Sequence, residues 1–271
     1  MAPREEDVDG DEAAEASSTA PQEGAFLVIP SVSVQKGRVV IVNRGRYEAL
    51  SDADDKPITL DDFVRMYLAD YKTICVLDID GIEKGRPQLG HIRLLGQGKN
   101  IWYDPGVRDL NDMADAFMAG ATRVILGTKT IESRDTILEC HEASSDYVLG
   151  LDWTGDHIIC GDAEISQADP LTFLTEMKLL GVRRVLFTQL GRVRKGARMD
   201  ETLVRDMVSR SRRFYIGGSG FDLATAEEIR ASSLGVRGVV VSVLDLIRGD
   251  IVEEGADGVE GGGVVVRDVG E

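Results

Sequence analysis

Between residues 25 and 252 the chain alternates short apolar runs with polar loops and amphipathic stretches. Eight runs stand out: Phe26–Val34, Thr73–Ile79, Asn100–Tyr103, Arg123–Leu126, Tyr147–Leu151, Arg184–Thr188, Arg213–Gly217 and Gly238–Val241. They are rich in Val, Ile and Leu and lack an in–out alternation, as expected of strands buried on both faces of a parallel sheet. A ninth run, Arg38–Val42, follows the Lys36-Gly37 turn and predicts a small hairpin off the first strand. A Val264–Val266 run predicts at most a weak edge strand.

Helical segments separate most of these runs. Thr59 with Asp62 predicts a capped start before Phe63–Ala69, and Asp109 a cap for Leu110–Met118. Pro170 at a first turn predicts a helix to Leu180, and Asp200 one over Glu201–Ser209. Thr225 with Glu228 has capping-box spacing before Ile229–Ser232. Strand–helix alternation repeated eight times predicts a closed (β/α)8 TIM barrel, with an open doubly wound sheet as the alternative. A weak internal repeat supports closure. Asp109-Leu110 is echoed by Asp222-Leu223, and Ala119–Leu126 by Leu234–Val241, so a half-barrel duplication with two related ligand-head sites is expected.

Charge refines the domain organisation. The formal net charge is −16, but residues 1–24 carry −7 and residues 253–271 carry −5, leaving only −4 on residues 25–252. Residues 1–24 are therefore expected to be a disordered acidic tail, 25–252 the barrel, and 253–271 an acidic, Gly-rich tail. The acidity excludes a nucleic-acid footprint. No apolar run reaches membrane-spanning length and the N-terminus lacks a signal-peptide pattern, so no membrane partner is expected and the location is expected to be cytoplasmic. Cys75, Cys140 and Cys160 are odd in number and form no CxxC, which predicts reduced thiols. His91, His141 and His157 are scattered, so no metal site is expected, and nothing requires a cofactor. A homo-oligomer is left open.

In such a barrel the chemistry lies at the C-terminal ends of the strands. The fourth strand is followed by Gly127-Thr128, the seventh by Gly217-Gly218-Ser219-Gly220 and the eighth by Ser242-Val243. Glycine lets backbone N–H groups approach a phosphate closely. Gly218, Ser219, Gly220, Ser242 and Val243 are thus one expected phosphate site, and the repeat makes Gly106, Gly127 and Thr128 the other. A phosphorylated small molecule is the expected partner. Asp78, Asp104 and Asp152 end strands and are the candidates for proton transfer, which needs an acid and a base flanking one carbon. Arg192, Arg194 and Lys195 lie in a cation-rich loop after the sixth strand and suit a lid over an anion.

Ile29-Pro30-Ser31-Val32, Leu77-Asp78-Ile79-Asp80-Gly81, Gly106-Val107-Arg108, Val124-Ile125-Leu126-Gly127-Thr128 and Gly150-Leu151-Asp152 together resemble the HisA/HisF family. These are the phosphoribosylformimino-aminoimidazole carboxamide ribotide isomerase and the imidazole glycerol phosphate synthase cyclase. The resemblance spans nearly the whole body of the chain. It implies a duplicated barrel, a substrate with two phosphate ends, and acid–base catalysis by aspartates, of which Asp152 matches the one on strand five. Ser33 stands at the strand-one aspartate position. Gln189 replaces the strand-six aspartate, with Thr188 retained before it as a candidate catalytic residue. Asp104-Pro105-Gly106 replaces a triple glycine, and Ser242 stands where glycine is usual. The reading is a diverged paralogue: an isomerase or related proton-transfer enzyme acting on a phosphoribosyl or other sugar-phosphate compound. A regulatory phosphoribosyl-binding paralogue that has lost its chemistry is the alternative.

Overall fold

The computed structural model describes residues 25–43, 46–52, 54–95, 98–189, 200–218, 221–247, 251–252 and 264–268. The chain opens with β1 (Leu27–Gln35), β2 (Arg38–Asn43), β3 (Arg46–Ser51) and α1 (Leu60–Tyr67). Then come β4 (Thr73–Asp78), α2 (Ile79–Lys84), α3 (Leu89–Leu95), β5 (Asn100–Asp104), α4 (Leu110–Met118) and β6 (Arg123–Gly127). A 3-10 turn at Thr128–Thr130 leads to α5 (Arg134–Ala143), β7 (Tyr147–Trp153), α6 (Ala163–Gln167), α7 (Pro170–Leu180) and β8 (Val185–Gln189). The rest is α8 (Glu201–Ser209), β9 (Phe214–Gly217), α9 (Leu223–Ala231), β10 (Gly238–Ser242), α10 (Leu244–Ile247), β11 (Ile251–Val252) and β12 (Val264–Asp268).

β1 and β4 to β10 form a parallel ring, closed where β10 pairs with β1 from Leu27↔Gly238 to Ser31↔Ser242. This is a (β/α)8 barrel. Each ring strand sends one side chain to a common layer inside it: Ile29, Cys75, Trp102, Ile125, Val148, Leu186, Tyr215 and Val240. Trp102 and Tyr215 meet edge to face there, their centroids 4.8 Å apart. A second, larger core lies between the ring and the helices. Strands sandwiched between two cores are buried on both faces, as in β7, where all seven residues are buried and only Asp152 is charged.

The eight apolar runs match the ring strands to within a residue or two at their ends, and the hairpin off the first strand is β2. The hairpin continues further than expected. β3 pairs antiparallel with β2, and β12 joins β3 through Val265↔Ser51 to Asp268↔Glu48, so the Val264 run does find a partner. The expected helices at 110–118, 170–180 and 201–209 have those bounds. The first helix starts at Leu60, directly after its Thr59 cap, and ends at Tyr67 instead of running over Phe63–Ala69. Two further expectations need correction. Ile79 belongs to α2 and not to the second strand, because the Asp78 carboxylate accepts the Gly81 N–H and caps a helix there. The last long helix begins at Leu223, not after Thr225, because Asp222 caps it by accepting the Thr225 N–H at 2.7 Å. That second correction strengthens the repeat. Asp109 and Asp222 each cap a nine-residue helix, followed by a five-residue strand. The two acidic tails lie outside the described residues, apart from β12. No helix among the described residues is long and apolar enough to cross a membrane.

The closing seam is tight. A Cβ built on Gly238 would lie 2.4 Å from the Leu27 carbonyl oxygen, and backbone cannot step aside cheaply. Gly238→Ala is therefore expected to pry β10 from β1 and cost about 2–3 kcal/mol, the scale of overpacking in a dense core. Urea unfolding of the two proteins measures it, and an unchanged midpoint contradicts this view of the seam.

Candidate active site

The C-terminal ends of the ring strands open into a cavity of about 240 Å³. Among the described residues the charged groups lining it are Asp104, Lys129 and Asp152. All three stand on the wall made by β5, β6 and β7. Asp104 is the last residue of β5, Asp152 the penultimate residue of β7, and Lys129 the middle of the turn that follows β6. Lys129 reaches between the two carboxylates. Its Nζ lies 2.9 Å from Asp104 Oδ2 and 3.9 Å from Asp152 Oδ2. Asp104 is 1% exposed and Asp152 5%, so both charges depend on this ammonium and on backbone donors.

Backbone completes the arrangement. The Gly106 N–H donates to Asp104 Oδ1 at 3.1 Å, and the Lys129 backbone favours the charged form of Asp152. The Asp152 N–H donates in turn to Thr128 Oγ1 at 3.1 Å, tying the end of β7 to the turn after β6. The loops after β4 and β5 are pressed together beneath this wall. Gly106 sits at φ +73°, and a Cβ on it would be 2.5 Å from the Gly81 carbonyl oxygen. Only glycine fits there. Arg108 clamps the pair, donating to the carbonyls of Gly81, Ile82 and Gly106 at 2.9, 2.8 and 2.7 Å.

Burial and charge move the titrating groups in useful directions. Burial raises the Asp152 carboxyl above the ordinary carboxylate range; Lys129 opposes this and Asp104 adds to it. For Lys129, burial alone would lower the ammonium, but Asp104 and Asp152 outweigh burial and hold it above the usual lysine range. Cys75, on the cavity floor, is pushed up by burial and by Asp104, so it stays a thiol.

The structure brings Asp104, Asp152 and Thr188 together at the mouth. Thr188 pairs in register with Asp152 and lines the cavity. Gly127, Gly218, Ser242 and Val243 line it as well, as do Ser31 and Ser33. Asp78 is not among the lining residues. Its carboxylate accepts from Gly81 N–H at 2.9 Å, from Tyr103 Oη at 2.8 Å and from Gln88 N–H, so it is a loop anchor and not a proton carrier. Burial raises it while those hydrogen bonds pull it down. Thr128 is fully buried, with its hydroxyl beneath Asp152. Gly106 faces Gly81. Ser219 and Gly220, and the lid residues Arg192, Arg194 and Lys195, lie outside the described residues. Among the described residues no group of His, Cys, Asp and Glu could hold a metal ion.

Lys129 is the residue that sequence reading missed. The signal was present: a lysine two residues past the strand-four glycine, inside an otherwise apolar and small-residue turn, at the strand end where barrel chemistry gathers.

A closed barrel with a buried acid–base cluster at the C-terminal ends of its strands has the build of a barrel enzyme. Comparison with known proteins narrows the class. The chain matches the family model described as "Histidine biosynthesis protein" over residues 27–254, and it belongs to that family. It is 26% identical over 225 residues to the phosphoribosyl imidazole-4-carboxamide isomerase of Heliobacterium modesticaldum, covering 80% of this chain and 90% of that one. It is 28% identical over 173 residues to the isomerase of the same name from Moorella thermoacetica, covering 62% and 70%. To that of Rubrobacter xylanophilus it is 31% identical over 187 residues, covering 65% and 75%.

The raised Asp152 carboxyl has a consequence for stability. A carboxyl held up in the fold binds its proton more tightly there than in the unfolded chain. The stability it contributes is present below the unfolded value of about 3.9 and is lost as pH rises through the folded value. Asp152→Asn removes that loss. The variant is expected to melt higher than the parent at pH 7 and to lose the advantage near pH 4. Thermal melts across pH 4–8 test this; a variant that melts lower throughout contradicts it.

Proposed function

We propose that the protein is an isomerase that moves a proton between neighbouring carbons of a phosphoribosyl or other sugar-phosphate compound. The observation that carries this reading is the Lys129 ammonium set between Asp104 and Asp152 at the cavity mouth. Two groups whose environments set them to opposite tasks are the working parts of acid–base catalysis. Asp152, raised above the ordinary carboxylate range, serves as the base that removes a proton from the carbon next to a carbonyl and returns it to the neighbouring carbon. Lys129, kept protonated, faces the carbonyl oxygen and stabilises the charge that develops there. Asp104 holds the ammonium in place. Lys129 thereby supplies a charged partner on strand four where Ser33 leaves strand one without a carboxylate.

The phosphate end of the substrate is assigned to Gly218, Ser242 and Val243, with Ser219 and Gly220 completing the loop. Arg192, Arg194 and Lys195 remain proposed as its lid. The family and its isomerase relatives support the reaction type. The three free thiols fit a reducing, cytoplasmic setting.

Solvent exchange tests the reading directly. With ribose 5-phosphate in D2O, the protein is expected to place deuterium on the carbon next to the carbonyl, seen by NMR. Asp152→Asn and Lys129→Met are each expected to slow this by about 10²–10⁴-fold. Binding of the phosphate with no exchange in the parent protein would instead favour a regulatory paralogue that has kept its ligand and lost the reaction.

A further inference from the structure

The internal repeat leads one to expect two equivalent anion sites, one after β5 and β6 and one after β9 and β10, yet among the described residues the cavity is charged on one side only. We propose that the first of these sites is filled by the protein's own Asp104, so that the substrate carries a single phosphate, bound at the other. This rests on the sugar-phosphate reading above and deepens it.

Three observations converge. First, a backbone donor that a phosphate would use on the β5–β6 side is already engaged: Gly106 N–H donates to Asp104 Oδ1 at 3.1 Å. Second, the cation that would attract an anion there is neutralised: Lys129 Nζ lies 2.9 Å from Asp104 Oδ2. With its ammonium paired to Asp104 and Asp152 beside it, this wall has no spare positive charge to hold a phosphate dianion. Third, the cluster is built and not incidental. Asp104 is 1% exposed, and its loop is held by the Gly81–Gly106 contact and the Arg108 clamp, so the carboxylate has no room to swing out.

The related position on the other half carries no such plug. Gly217 and Gly218 stand where Asp104 and its neighbours block the first half, and the lining residues Ser242 and Val243 are uncharged. Gly218 is at φ +136°, a conformation that keeps a side chain out of the space above it. A cavity of about 240 Å³ between the two walls fits a sugar monophosphate whose carbonyl end meets Lys129 and whose phosphate end meets Gly218 and Ser242.

Calorimetric titration of the full chain with ribose 5-phosphate and with ribulose 1,5-bisphosphate tests this. The expected result is binding of the monophosphate, with the bisphosphate binding no more tightly. Tenfold or greater preference for the bisphosphate overturns the filled-site inference and leaves the isomerase reading standing. Binding of neither ligand overturns both. A second variant probes the plug itself. The double substitution Asp104→Gly with Lys129→Ala frees the Gly106 N–H and is expected to raise affinity for the bisphosphate relative to the monophosphate tenfold or more. Equal affinities in a folded double variant and its parent count against the inference. If the double variant does not fold, the comparison of the two ligands on the parent protein decides.

Discussion

Five residue pairs, from Leu27 with Gly238 to Ser31 with Ser242, hold the last ring strand to the first, and every feature of the mouth follows from that seam. An open sheet of the same strands would set β1 and β10 at opposite edges, with Ser31 and Ser242 far apart. Closure puts them in register beside each other and encloses one side chain from each strand as an interior layer. The large rings of Trp102 and Tyr215 fill the lower part of that layer, so the space that remains is gathered at the upper end, where the strand termini deliver Asp104, Lys129, Asp152 and Thr188.

At that end burial sets the electrostatics. A carboxylate at 1% exposure persists only with partners, and Asp104 has two: the Lys129 ammonium and the Gly106 N–H. Asp152, further from the ammonium, is compensated less and is raised by its burial. The asymmetry of the two distances, 2.9 and 3.9 Å, is thus what separates the closely paired carboxylate from the less compensated one. The loops beneath are made rigid by glycine and arginine, which keeps this small difference from being averaged away.

Much of this was legible from sequence alone. Strands buried on two faces announce themselves as unbroken apolar runs, and Asp, Ser or Thr before a periodic stretch marks a helix start; both follow from local chemistry. Asp104, Asp152 and Thr188 could be placed at one mouth from sequence because strand ends in a barrel converge, and all three line the cavity. Asp78 was misjudged for the same reason: a strand-end aspartate can equally turn back and cap the next helix, and only the positions of Gly81, Gln88 and Tyr103 decide between the two. Lys129 escaped because a single lysine in a turn looks like solvated surface. Its role depends on two carboxylates that lie 25 and 23 residues away along the chain and meet it only through the ring. β3 and its pairing with β12 joined segments too distant for any local pattern to connect.

The ion pair between Asp104 and Lys129 also constrains how this barrel can change over generations. Replace the lysine first, and an aspartate is stranded in the interior; replace the aspartate first, and the lysine loses its nearest counter-charge while Asp152 alone remains to hold it. Each single step costs stability before any benefit is reached. The two positions therefore behave as one inherited unit. A barrel that has acquired both is held in its present arrangement by a valley on either side, even where the scaffold around them would accept another ligand.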